Sequence, residues 1–192
     1  MKSCLSLCQL ARKTIESSFD GKWFKNYINF NPDEKTKEKF SEKKACFVTL
    51  TNSGRLRGCI GNIFARQELW KDVQENAIHA AFHDPRFPPL KKEDLKKVKI
   101  KVSVLTNPEK LEYKNESELL NKIKKNMGVI LRHMGHEATF LPQVWGHFSP
   151  DNSLSKQDKI RFLQELSIKA GLDKDAWKTA DIYTYNVEAE KE

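Results

Sequence analysis

The hydrophobic period of the chain changes several times, and each change marks an element. Cys4, Cys8, Ala11 and Ile15 fall at i, i+4, i+7 and i+11, the stripe of a helix packed by one face, which makes Cys4 and Cys8 small core residues. Residues 31–44 (NPDEKTKEKFSEKK) have no apolar period and read as a mobile polar connection. The short run 45–50 (ACFVTL) has strand character. Thr51, Asn52, Ser53 and Gly54 then supply a hairpin turn into a second strand beginning near Arg55.

Leu69, Val73, Ala77 and Ala80 mark the buried face of a helix over 67–82, and Pro85 stops it because its ring disfavours helical geometry at Asp84. Ile100, Val102 and Val104 alternate with Lys99, Lys101 and Ser103, a strand with one wet face. A helix is predicted near 117–125. A second hairpin follows, with arms 129–132 and 137–141 about the turn His133-Met134-Gly135-His136, ended by Pro142. The capping box of Ser155 and Asp158 opens a helix that runs to about Ala170 and closes at Gly171, and 182–187 (IYTYNV) reads as a terminal strand. Hairpins among irregularly alternating helices predict an α+β fold, antiparallel sheets flanked by helices.

At 192 residues the chain is read as one domain over 1–192, and its eleven Phe and four Trp provide large groups for a core. The net charge of +8 is carried mostly by Lys, in runs 35–44 and 91–101 that interleave Glu and Asp. A dedicated nucleic-acid reader clusters Arg and aromatics on one surface. The dispersed Lys fits a solvated exterior, and weak, salt-sensitive nucleic-acid binding ranks third among the functional readings. No apolar run approaches the ~18 residues of a membrane span, and the start has no signal-peptide pattern. Cys4, Cys8, Cys46 and Cys59 form no Cys-x-x-Cys pair, so reduced thiols in the cytoplasm are expected. The chain has no Gly-x-Gly-x-x-Gly, P-loop or Gly-x-Ser-x-Gly, and no cofactor is predicted.

The segment Arg55-Leu56-Arg57-Gly58-Cys59-Ile60-Gly61 carries the main candidate chemistry. Gly58 and Gly61 bracket the thiol and leave the backbone open to close approach. Strict alternation places Leu56, Gly58 and Ile60 on one face and Arg55, Arg57, Cys59 and Gly61 on the other, so the thiol shares its face with two guanidiniums. Neighbouring cations favour the thiolate, the nucleophilic form, and make an anion cradle. The alternative is a tightly packed strand crossing under another element, where only small residues fit.

His79 and His83 stand at i, i+4, half of a two-histidine metal site without its glutamate, and helix-end surface residues are the favoured reading. His133, His136 and His147 lie at or near turns and take the same reading. Asp84 and Arg86 sit in a loop stiffened by Pro85, Pro88 and Pro89, where they either bind a ligand or pair internally to pin the loop to the body.

Several ordered strings carry a resemblance over essentially the whole chain. They are Cys46-Phe47-Val48-Thr49-Leu50, Leu56-Arg57-Gly58-Cys59-Ile60-Gly61, Asp84-Pro85-Arg86-Phe87-Pro88-Pro89, Thr139-Phe140-Leu141-Pro142-Gln143-Val144-Trp145 and Lys169-Ala170-Gly171-Leu172. Together they resemble the AMMECR family, whose microbial members are called protein A of the AmmeMemoRadiSam system. The resemblance implies an α+β fold with a larger part containing both termini and a smaller part, and a cleft between them near the Leu-Arg-Gly-Cys-Ile-Gly motif. It implies a joint pathway with a Memo-like protein and a radical-SAM protein.

Residue by residue, it supports Arg57, Gly58, Cys59, Gly61, Asp84, Arg86 and Phe87 as site residues, and gives no support to Arg55, His79 or His83. Three functions follow as expectations. The first is a small-molecule or peptide-binding cleft around Arg57-Gly58-Cys59-Ile60-Gly61, with Cys59 as catalytic candidate. The second is a non-catalytic module docking a Memo-like or radical-SAM partner, and the third is nucleic-acid binding.

Overall fold

The computed structural model describes residues 4–19, 28–149 and 153–192. The α-helices are α1 (Leu7–Phe19), α2 (Glu34–Lys39), α3 (Leu69–Ile78), α4 (Glu116–Lys122), α5 (Trp145–Phe148) and α6 (Lys156–Lys169). The strands are β1 (Ala45–Asn52), β2 (Arg55–Gly61), β3 (Val98–Leu105), β4 (Glu109–Lys110), β5 (Gly128–His133), β6 (His136–Phe140), β7 (Asp181–Tyr185) and β8 (Val187–Lys191). The chain forms two compact units: a larger one of Met1–Asn107 with Glu188–Glu192, which holds both ends of the chain, and a smaller one of Pro108–Val187. The fold is α+β.

In the larger unit one sheet has the order β2-β1-β3-β8, with β1 antiparallel to both β2 and β3. Leu10, Ala11 and Ile15 of α1 and Val73 and Ala77 of α3 are fully buried with Val48, Leu50, Ile100 and Val102 of the sheet. Of these, Ala11, Ile15, Val73, Ala77, Ile100 and Val102 are positions that helical and strand periodicity single out. The helix starts at Leu7 because Ser6 and Gln9 cap it reciprocally: the Ser6 amide donates to Gln9 Oε1 at 3.0 Å and the Gln9 amide to Ser6 Oγ at 3.3 Å. Cys4 therefore precedes the helix and is half-buried beside Thr36, while Cys8 is a core residue as expected.

The polar stretch 31–44 contains a helix, contrary to its sequence pattern. Asp33 caps α2 by accepting from the Thr36 amide at 2.9 Å, and Thr36 is fully buried. On β3 the expected alternation holds for Lys99 and Lys101, but Ser103 is buried. The terminal strand is in fact two. β7 ends at Tyr185, and the chain then enters the larger unit's sheet as β8, a charged run that no apolar alternation announces.

The smaller unit holds the second sheet, in the order β4-β7-β5-β6. Its core gathers Leu119, Val129, Leu131, Phe162, Leu163 and Trp177, with the Trp145 ring stacked on Phe162 at 3.5 Å between centroids. The β5–β6 turn is Met134-Gly135, both at positive φ (48° and 81°), which closes the hairpin with His133 opposite His136. The Ser155–Asp158 capping box and the positive φ of Gly171 (76°) bound α6 as the sequence requires. Among the described residues no helix is long and apolar enough to cross a membrane.

Candidate functional site

β2 is an outermost strand, so one side of its backbone is not paired with β1. At Cys59 that side is taken by side chains. Its amide donates to Asp84 Oδ2 at 2.8 Å, and its carbonyl accepts from Arg86 Nη2 at 3.0 Å. Asp84 and Arg86 make the two bonds that a neighbouring strand would make. They also bind each other, Arg86 Nε to Oδ1 at 2.9 Å and Nη2 to Oδ2 at 2.7 Å, with the Arg86 amide on Oδ1 at 3.1 Å.

The bidentate guanidinium, together with the amides of Cys59 and Arg86, holds the Asp84 carboxyl well below the usual carboxylate range, although burial acts in the opposite direction. Asp84 is buried, whereas the Arg86 side chain keeps 54% of its surface exposed. The internal pair that pins the loop is thus present, and it places one guanidinium at the surface.

The loop owes its position to α3. Its last turns widen into a π-helix, His79–His83, with Ala80, Ala81 and Phe82 buried, and Asp84 leaves helical geometry (ψ 112°) ahead of Pro85. The Leu90 amide returns to the Ala81 carbonyl at 2.8 Å and closes the loop. Gly58 lies under this turn. A Cβ there would stand 2.1 Å from the Ala80 carbonyl oxygen, so the close approach that the glycine permits is made by the protein's own backbone. At Gly61 the corresponding space is filled by the Cys46 carbonyl and the Phe47 ring, each 2.4 Å from a built Cβ.

The Ser53-Gly54 turn pairs Asn52 with Arg55 and Thr51 with Leu56. Uninterrupted pairing would then set Val48, a core residue, opposite Cys59. Instead the register jumps: Arg57 is a bulge, Leu50 pairs with Gly58, and Thr49 pairs with Cys59. This corrects the two-arginine face. Leu56, not Arg55, shares the outer face with Cys59, because the extra residue reverses the alternation of everything before it. Since the Cys59 backbone groups point away from β1, the pair with Thr49 is of the narrow type, and Thr49 Oγ1 stands 3.2 Å from the half-buried Sγ.

The bulged Arg57 reaches the loop, donating from Nη2 to the Pro88 carbonyl at 2.8 Å. Its guanidinium carbon is 5.9 Å from the centre of the Phe87 ring, and that of Arg86 is 5.6 Å from the same ring. Arg57, Gly58, Cys59, Asp84, Arg86 and Phe87 therefore meet at one corner of the larger unit, with Gly61 two residues further along β2. Thr49 and the Pro88 carbonyl join them unannounced by sequence, since both contacts depend on the bulge and on the loop's path.

The histidines do not join this corner's hydrogen bonds. His79 and His83 pack against each other edge to face at 5.7 Å. In the smaller unit His133 and His136 line a cavity of about 430 Å³ with Arg132, Glu137, Thr179 and Asp181, and His136 Nδ1 lies 3.1 Å from the Ala170 carbonyl. Among the described residues no three His, Cys, Asp or Glu side chains are placed to hold a metal ion.

The family model described as AMMECR1 matches residues 8–190, nearly the full length of the chain. The chain belongs to the AMMECR1 family. AMMECR1 relatives include Protein NEQ441 of Nanoarchaeum equitans, 38% identical over 90% of each chain, and Protein Mbar_A1807 of Methanosarcina barkeri, 38% identical over 96% of this chain and 87% of that one. A crystal structure of the uncharacterized protein PH0010 from Pyrococcus horikoshii has the same fold: its TM-score is 0.78 at 32% identity, covering 97% of this chain and 89% of the other.

Proposed function

We propose that this AMMECR1 protein binds a small-molecule ligand at the corner formed by Arg57, Cys59, Asp84, Arg86 and Phe87, as a component of an AmmeMemoRadiSam-like pathway in the cytoplasm. One observation carries the reading. The thiol stands half-buried on the outer face of β2 while its own backbone is fixed on both sides, the amide by Asp84 and the carbonyl by Arg86. A side chain held this rigidly beside two partly free guanidiniums is preorganised for contact. Binding is favoured over covalent catalysis because the group touching the thiol is the Thr49 hydroxyl, which accepts no proton at neutral pH. The pathway assignment, with a Memo-like protein and a radical-SAM protein as partners, rests on the motif resemblance alone.

Alkylation of Cys59 by iodoacetamide tests the proposal. A small-molecule fraction of cell extract is expected to slow labelling of Cys59 in the folded protein. Protection by a purified Memo-like or radical-SAM protein, and not by that fraction, would favour the docking-module reading instead. Absence of protection by either would sink both.

A further inference from the structure

The unpaired edge of a sheet ordinarily invites an added strand, and at β2 the structure removes that invitation at the residue where ligand contact is proposed. Both backbone groups of Cys59 on the open side are already bonded, to Asp84 and to Arg86. A peptide adding to this edge would have to displace both side chains from the Cys59 backbone and deprive the buried Asp84 carboxylate of the Cys59 amide. What the corner offers instead is side-chain donors. Arg86 spends Nε and Nη2 on Asp84 and the Cys59 carbonyl, and Arg57 spends Nη2 on the Pro88 carbonyl. Among the described residues, Nη1 of Arg86 and both Nε and Nη1 of Arg57 have no hydrogen-bond partner. Both guanidiniums flank the half-buried Phe87 ring, and Asp84 offsets one of their two positive charges, leaving one in excess.

We propose that the ligand of this corner enters through an oxyanion, a carboxylate or phosphate, received by Arg57 and Arg86 across Phe87, and that the corner takes no extended peptide strand. The inference rests on the reading above that the corner is a ligand site. Guanidiniums suit this role because their planar N–H pairs match the oxygen spacing of both anions. The Asp84 bridge gives Arg86 a fixed orientation, so little freedom is lost when the anion arrives.

The test is a titration of the ¹⁵N-labelled full chain, following backbone amides and arginine Nε–H signals, with three probes: inorganic phosphate, succinate, and a neutral acetylated and amidated peptide of β-branched residues. Saturable shifts at Arg57, Arg86 and Phe87 with phosphate, succinate or both are expected. Phosphate alone assigns a phosphoryl head and succinate alone a carboxyl head. Arg57→Gln is expected to weaken the binding by about tenfold, the loss of one charge-assisted contact, with Arg57→Lys falling between, and with the thermal midpoint of both variants near that of the parent.

The inference is overturned if shifts appear only along the lysine runs 35–44 and 91–101, if Arg57→Gln leaves the anion affinity unchanged, or if the peptide perturbs Cys59 and Arg86 saturably. If neither anion binds while cell extract still protects Cys59 from alkylation, the oxyanion fails and the site reading stands. Failure of both anion binding and protection removes the two together.

Discussion

Asp84 holds Cys59 by its backbone, not by its thiol: the carboxylate accepts the Cys59 amide at 2.8 Å across 25 positions of sequence, while Arg86 closes the other side through the Cys59 carbonyl. The most chemically suggestive residues of the two motifs are therefore partners in architecture. In the proposed site, the groups left to meet a ligand are the thiol, the outer part of Arg86, Arg57 and Phe87.

Asp84→Asn should lower stability by about 2 kcal/mol at neutral pH, because a buried, multiply bonded carboxylate is replaced by an amide that cannot receive Arg86 bidentately. Urea denaturation at several pH values checks it. The folded carboxyl is depressed relative to the unfolded one. Its contribution is therefore complete above the unfolded value of about 4, and declines as pH falls through the folded value. The gap between parent and variant should close on the acid side.

Gly58→Ala should cost about 3 kcal/mol, since its new methyl meets the Ala80 backbone carbonyl, which no side-chain rotation can relieve. Gly54→Ala provides the comparison: nothing lies within 4 Å of its built Cβ, and only its positive φ (77°) is strained, a cost of about 1 kcal/mol. Equal losses in thermal denaturation would contradict the packing assigned to Gly58.

Cys8 and Cys46 should resist iodoacetamide in the folded protein at about pH 8. Burial, with the charge of Glu190 adding to it, pushes the Cys8 thiol up to about 12, and burial with Asp72 nearby raises Cys46 well above its usual value. Mass spectrometry of partially alkylated protein should find Cys59 modified ahead of both. Unfolding in urea should erase the order.

The hairpins and α6 are legible in sequence because their signals are local: Ser53-Gly54 and Met134-Gly135 supply the positive φ values, and Ser155 with Asp158 forms the cap. The Arg57 bulge is not legible, because register is settled by the partner strand. In the fold one extra residue brings Cys59 to the outer face and Gly58 beneath Ala80. The prolines reveal that the Asp84 loop is stiff, but its target is a backbone amide, and every residue has one. α2 and β8 escape for a different reason: α2 buries only Thr36 among its charges and β8 has no fully buried residue, and what holds them is Asp33 in one case and Glu190 in the other.

Glu190→Ala should destabilise the larger unit by about 1 kcal/mol, the usual cost of losing a helix cap. Its carboxylate accepts the amides of Cys8 at 2.8 Å and Leu7 at 3.3 Å at the start of α1. Denaturant titration measures the loss, and Glu190→Gln, which keeps an acceptor, should recover part of it.

The return of the chain to the larger unit has a consequence in time. Residues 188–192 are translated after the whole of the smaller unit, yet they supply the cap of α1 through Glu190, and Glu192 binds both Arg12 and the Ile100 amide. During synthesis the smaller unit, being continuous in sequence, has all of its strands available first. The unit that carries Cys59, though translated first in its greater part, receives its fourth strand only after the smaller unit has been made.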